Sequence, residues 1–319
     1  MNPPASTLTG CLDDYLILRR ALGCKLIRAE RYLRQFLDYL GERELDTLTV
    51  EAAADWVSQS RHGSAAPGLG MEAVRGFAVF LHAHDPAHEV PPPGLFPRRR
   101  VRAVPYLFSP ADIAALQAAA ARLRGPLRAE TYTFLIGLLA VTGLRIGEAL
   151  ALDDDDIDAG EGMLIVRQDK AQSFRLVPLH PTALAALAGY RHRRDQVLPG
   201  RAMPAVLVSR TGDRLTYNAV HKAFTGLVAA AGLGPRTGRC RPTVHGLRHT
   251  FAVNMLACWY RDGADVPARL PWLSTVMGHS GPASTYWYVS SSPELMALAA
   301  QRLQDHVDRA GGASRAGQS

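Results

Sequence analysis

Between Thr243 and Tyr288 the chain carries a dense set of groups able to grip and attack a phosphate. The stretch opens with T-V-H-G-L-R-H-T and closes with G-H-S-G-P-A-S-T-Y-W-Y. Thr243 is placed to cap a helix whose apolar run passes through Phe251, Val253, Met255 and Leu256. His245 and Arg248 are three residues apart, so they project from one face of that helix. A guanidinium donates two parallel hydrogen bonds to an anionic group, and an imidazole beside it donates or shuttles a proton. After the apolar run Leu273 to Met277, Gly278 reads as a helix stop and puts His279 in a turn rich in Ser, Gly and Pro. Tyr288 follows in an aromatic cluster with Tyr286 and Trp287. A free phenol, with a pKa of about 10, is a poor nucleophile, but surrounding cations that favour the phenolate activate it to form a covalent ester.

Upstream elements must deliver further cations to the same place. The run Thr131 to Val141 is apolar on all sides, which predicts a buried central helix. Thr142-Gly143 ends it and sets Arg145 at the start of the next helix, Ile146 to Leu152, where unpaired N–H groups already favour an anion. Glu148 lies one turn on, placed to hold Arg145 by an ion pair. Residues 163–166 and 174–179 are β-patterned runs joined by a polar turn, which sets Lys170 at a hairpin tip. Lysine is scarce, with only Lys25, Lys170 and Lys222 in the chain. A general acid must release its proton, which an ammonium does when its surroundings lower its pKa and a guanidinium does not.

Four boxes now stand in order: T-G-L-R-I-G-E-A-L from Thr142, D-K-A-Q-S-F-R-L-V-P-L from Asp169, H-G-L-R-H-T from His245, and G-H-S to T-Y-W-Y ending at Tyr288. Together they resemble the two arginine boxes, the lysine hairpin and the histidine and nucleophile box of the tyrosine recombinases of the phage integrase family. The resemblance implies site-specific cleavage and rejoining of DNA through a 3′-phosphotyrosyl intermediate, for integration, excision or transposition, without metal or nucleotide cofactor. It assigns Arg145 and Arg248 to the scissile phosphate, Tyr288 as nucleophile with Tyr286 as its rival, and Lys170 as proton donor to the leaving 5′-oxygen. His245 is expected to assist as base and His279 to donate to the phosphate. A type IB topoisomerase-like enzyme and a catalytically silent DNA-binding protein of the same fold are the alternatives. The family also implies a tetramer on double-stranded DNA, joined through the terminal helix at 293–309, with accessory DNA-binding proteins as possible partners.

Composition narrows the classes. A net charge of +7 in 319 residues favours a polyanionic partner. The longest apolar run, Thr131 to Leu144, is too short to span a bilayer. Met-Asn-Pro-Pro begins no basic segment followed by an apolar core, so no secretory signal is expected. Cys11, Cys24, Cys240 and Cys258 form no C-x-x-C pair, so a reduced cytoplasmic chain without zinc is expected. The acidic run Asp153 to Asp156 reads as a solvated turn, not as a metal site.

The expected fold is mainly α with a small β-sheet. Residues 1–88 show four helical patterns and no strand, with 63–70 read as a loop, and fit the family's helical, SAM-like DNA-clamping domain. Residues 89–108 are Pro-rich and predict an extended linker. Arg98, Arg99, Arg100 and Arg102 within it, and Arg239 and Arg241 in the loop before the histidine box, are candidate phosphate contacts. Residues 109–310 are the expected mixed α/β catalytic domain of the DNA breaking-rejoining type, with 206–208 as a candidate third strand. Residues 311–319 read as a Gly/Ser-rich flexible tail.

Overall fold

The computed structural model describes residues 8–59, 66–96, 104–167, 174–237, 240–279, 281 and 283–316. The elements in order are α1 (Leu8–Ala21), α2 (Ile27–Gly41), α3 (Val50–Gln59), α4 (Ala66–His82), α5 (Pro110–Ala121), α6 (Pro126–Thr142), α7 (Ile146–Ala151), β1 (Ile157–Asp158), β2 (Met163–Arg167), β3 (Phe174–Pro178), α8 (Pro181–Val197), α9 (Tyr217–Ala230), α10 (Val244–Arg261), α11 (Val266–Met277), α12 (Ala283–Ser291) and α13 (Pro293–Ala316). The chain divides into two compact units, Met1–Arg102 and Ala103–Ser319. No helix among the described residues is long and apolar enough to cross a membrane.

In the first unit each helix buries the apolar stripe its spacing predicts, with Leu12 and Leu16, Leu33 and Phe36, Trp56 and Val57, and Val74 and Phe77 meeting in one core. Thr49 caps α3 by accepting the Ala52 N–H at 3.1 Å. Helix α4 begins at Ala66, so most of 63–70 is not a loop. Gly70 is tolerated inside the helix because the Trp56 ring packs where its Cβ would point, 3.1 Å away. The ends of the Pro-rich stretch are also anchored: Val90 and Phe96 pack on this first core, and Tyr106 and Phe108 are buried in the second unit.

The second unit is built around α6, whose Tyr132, Leu135, Ile136 and Leu139 are buried as an all-apolar helix requires. Ser109 and Asp112 exchange hydrogen bonds in a capping box that starts α5. The sheet is antiparallel in the order β1-β2-β3, with Ile165 opposite Leu176 and Val166 opposite Arg175. The third strand is therefore Ile157–Asp158. Residues 206–208 are buried but make only isolated bridges nearby, Asp153 with Ala205 and Val208 with Arg214. Helix α13 runs to Ala316, so 311–316 continue a helix where composition suggested a tail. Two glycines weaken a helix by about 1 kcal/mol each and do not by themselves end one.

The acidic run is not a solvated turn. Asp154 to Asp156 form one turn of 3₁₀ helix, Asp156 is 2 % exposed, and Asp153 pairs with Arg214. Asp154 receives Arg191, Arg194 and Arg201. Arg194 is fully buried and also bonds Asp195 and the carbonyls of Ala205 and Val206. The run thus pins α8 and the 201–214 loop to the turn before β1. Among the described residues no group of three metal-ligating side chains converges. Truncating a member of a buried ion cluster strands its partners, so Arg194→Ala is expected to cost about 3–5 kcal/mol of unfolding free energy, read from urea denaturation.

Candidate active site

The start of α10 is fixed before its functional side chains are placed. Thr243 caps the helix by accepting the Gly246 N–H at 3.1 Å. Gly246 lies against the strand-like segment before α5: a Cβ there would meet the Tyr106 carbonyl at 2.9 Å and Phe108 at 2.8 Å. Thr250 then accepts the Phe108 N–H at 2.8 Å. The Gly and final Thr of H-G-L-R-H-T therefore seat the helix, and His245 and Arg248 are aimed by it.

Arg248 is 2 % exposed and donates to the carbonyls of Gly143, at 2.6 Å, and Met277. These carbonyls close α6 and α11, where the helix dipole is negative. Burial and the nearby Arg145 push its pKa down to about 10, so it remains a cation at neutral pH. Among the described residues it pairs with no carboxylate. Arg145, at the N-cap of α7, donates to the Gly278 carbonyl at 2.7 Å and to Glu148 at 2.7 Å. The Glu148 ion pair expected from spacing is present, and its other oxygen accepts the Arg145 backbone N–H at 2.8 Å.

A third guanidinium was not singled out by spacing. Arg175 of β3 is 5 % exposed, bonds both Glu148 oxygens at 3.1 and 2.7 Å, and donates to the Val276 carbonyl at 2.8 Å. Burial favours the neutral acid at Glu148, but the bonds from Arg175 and Arg145 outweigh it and hold the carboxyl below its usual range.

His279 follows the left-handed C-cap Gly278, and its Nδ1 shares a 2.8 Å hydrogen bond with the hydroxyl of fully buried Thr285. Burial, then Arg248, Arg145 and Arg175, depress its pKa to about 4, so the ring is neutral at physiological pH. Exposed His245 is shifted down as well, by desolvation first and then by Arg248 and Arg145. Tyr288 of α12 is 3 % exposed, stacked on His279 at 6.0 Å and edge-on to His249 at 5.4 Å. Tyr286 is 54 % exposed. His249, unassigned by spacing, links His245 at 4.5 Å and Trp287 at 5.3 Å. Its signal was available, since it lies four residues after His245 on the same helix.

The structure thus brings Arg145, His245, Arg248, His279 and Tyr288 into one neighbourhood. Lys170, Arg98, Arg99, Arg100, Arg102 and Arg239 lie outside the described residues. Arg241 is exposed in the loop before α10. Its neighbour Arg236 instead lies 4.5 Å over the Tyr106 ring and 3.5 Å from Asp112.

Residues 108–294, which include Arg145, His245, Arg248, His279 and Tyr288, match the phage integrase family. The chain belongs to the phage integrase family. It is 39% identical over 308 residues to the putative integrase/recombinase y4rB of Sinorhizobium fredii (strain NBRC 101917 / NGR234), covering 94% of this chain and 98% of that one. It is 30% identical to tyrosine recombinase XerD of Mycobacterium tuberculosis (strain ATCC 25618 / H37Rv), covering 90% and 94%. Among solved structures, XerH bound to difH substrate in a pre-cleavage complex shares the fold with a TM-score of 0.66 at 17% identity, covering 89% of this chain and 82% of that one. A lambda integrase tetramer bound to a Holliday junction aligns with a TM-score of 0.61 at 19% identity, covering 89% and 78%. As a member of the phage integrase family the chain is a site-specific tyrosine recombinase, a DNA strand transferase.

The depressed imidazoles carry a stability signature. Where the folded pKa lies below the unfolded value, the unfolded chain binds more protons, so stability is fully present above about 6.5 and is lost as pH falls towards the folded value. The urea midpoint is expected to drop between pH about 6.5 and about 4. His279→Gln should flatten that slope while leaving a smaller part from His245.

Proposed function

We propose that Arg145, His245, Arg248, His279 and Tyr288, with Lys170, form the catalytic set of this recombinase. The single observation that carries the reading is the arrangement of Arg248: a buried guanidinium held only by helix-terminal carbonyls, beside Arg145 and the buried Tyr288 ring. Among the described residues no carboxylate bonds it directly, and a phosphate diester supplies an anion. Arg145 and Arg248 bind the non-bridging oxygens and stabilise the charge that builds at phosphorus. Tyr288 attacks phosphorus, its proton passing to His245, and the bond to the 5′-oxygen breaks with a proton from Lys170. The products are a 3′-phosphotyrosyl ester and a free 5′-hydroxyl, so the bond energy is kept for rejoining to a different strand. Neutral His279 donates to a phosphate oxygen from Nε2 when Thr285 donates to Nδ1. The burial of Tyr288 among these groups, against the exposure of Tyr286, favours Tyr288 as nucleophile.

The reading extends to the assembly. Residues 1–88 serve as the helical DNA-binding domain, 109–310 as the catalytic domain and 89–108 as the basic connection between them, acting on duplex DNA in the cytoplasm. Leu295 and Leu298 pack on this chain's own core, while Leu303 is 65 % exposed. The later turns of α13 therefore remain to join neighbouring subunits of a tetramer on DNA. Accessory DNA-binding proteins complete the complex where the site requires them.

The test is covalent capture: wild type and variants are expressed in cells, denatured and pulled down, and the attached DNA is sequenced. Discrete sites are expected with wild type and none with Tyr288→Phe. Arg248→Ala should lower the adduct yield by about 10²- to 10³-fold, the usual loss for one donor to a transition-state oxyanion. Adducts that persist in Tyr288→Phe would move the nucleophile to Tyr286.

A further inference from the structure

Arg175 touches Glu148 and the 276–278 turn, which border the candidate phosphate site. Its guanidinium uses Nε on the Val276 carbonyl and its two terminal nitrogens on both oxygens of Glu148. Those oxygens in turn hold the Arg145 side chain and backbone N–H. The guanidinium also fills the space that a side chain at 278 would need: a Cβ there would lie 2.8 Å from Arg175 Cζ, at a residue whose φ of 63° already favours glycine. The Gly278 carbonyl completes the ring by accepting Arg145. A closed circuit therefore runs from Arg145 through Glu148 and Arg175 to residues 276–278 and back to Arg145, with His279 the next residue in the chain.

We propose that Arg175 is a positioning residue for the strand-transfer reaction, acting through Glu148 and the 276–278 turn to fix Arg145 and His279 against the scissile phosphate. The proposal rests on the reading of those two residues as phosphate ligands. Alone, Glu148 can rotate and let Arg145 follow it. With both oxygens held in the plane of a buried guanidinium, the carboxylate has one orientation and Arg145 inherits it. A lysine keeps the charge but not the planar fork, and cannot bond both oxygens and the Val276 carbonyl in a fixed plane. Arg175→Lys therefore separates geometry from charge.

The groups facing His279 are Arg248 from α10, Arg145 and Glu148 from α7, Arg175 from β3, and Tyr288 and Thr285 from α12. Removing Arg175 deletes one repelling cation, so the His279 titration midpoint moves up in Arg175→Met and stays near the wild-type value in Arg175→Lys. That ordering reports the charge of Arg175 at His279, and the adduct yield of Arg175→Lys reports its geometry.

The experiment uses the full chain as wild type, Arg175→Met and Arg175→Lys, with four readouts. These are the His279 ring titration by NMR without DNA, the covalent adduct yield from cells, and the melting temperature with the salt needed to elute from heparin. Arg175→Met is expected to raise the His279 midpoint above about 4 and cut adducts about tenfold or more, the loss expected for charged hydrogen bonds, with heparin elution unchanged. Arg175→Lys should keep the midpoint low yet still lose adducts. The proposal is overturned if Arg175→Met leaves midpoint and adducts at wild type, if Arg175→Lys restores full yield, or if adducts fall only in step with melting while the midpoint stays put. Should Arg175→Met fail to fold, Arg175→Lys decides alone: full yield overturns the proposal, and reduced yield at wild-type melting temperature supports it. Absence of adducts even in wild type would sink the catalytic reading itself, and the positioning role that rests on it would fall with it.

Discussion

Three guanidiniums must be kept together although each repels the others. Arg145 and Arg175 bond the same Glu148 oxygen, at 2.7 and 3.1 Å, and Arg248 lies close enough to feel Arg145. Two unit charges about 6 Å apart repel by about 3 kcal/mol at an effective dielectric of 20, so the cluster would fly apart without counter-charge. One carboxylate cannot neutralise three cations. The remainder is met by backbone: the carbonyls of Gly143, Val276, Met277 and Gly278 all lie at or just past the ends of α6 and α11, where carbonyls are unpaired and the helix dipole is negative. The packing of the second unit follows from bringing those two helix ends to one point.

This solution leaves the site poised, not neutral. Carbonyl dipoles hold the arginines in place but do not cancel their charge, so the residual field favours an anion and disfavours any further cation. His279 shows the combined effect: burial first, and then Arg248, Arg145 and Arg175, push its pKa down to about 4. A neutral imidazole adds nothing to the repulsion and still offers a donor or an acceptor, with Thr285 positioned to settle which nitrogen does which.

The parts of this arrangement that were legible in the sequence are those set by local spacing. Caps at Thr49, Ser109 and Thr243, the stop at Gly278 and the Arg145–Glu148 pair depend on neighbours within four residues, and each forms. Arg175 was hidden by strand parity. Phe174 and Leu176 look like the buried face of their run, yet they are 65 % and 49 % exposed, and Arg175 shares the inner face with Val177. Val177 and Leu179 carried that signal, because side chains two apart share a face. The acidic run misled for a different reason: its partners Arg191, Arg194, Arg201 and Arg214 lie roughly 40 to 60 residues away, and no local pattern reports such pairs.

Arginine therefore does two jobs in this chain, and the counter-group tells them apart. Arg194 is as buried as Arg248, but two carboxylates, Asp154 and Asp195, meet its charge. Such a cation is spent on the fold, and an incoming phosphate would find little left to bind. Among the described residues Arg248 is hydrogen-bonded by carbonyl dipoles and by no carboxylate, so more of its charge remains available. Arg145 stands between these cases, since it must share the single carboxylate of Glu148 with Arg175. On the proposed reading the sharing leaves Arg145 incompletely neutralised, able to bond a phosphate as well, while the buried Arg175 holds the carboxylate, and with it Arg145, in one orientation.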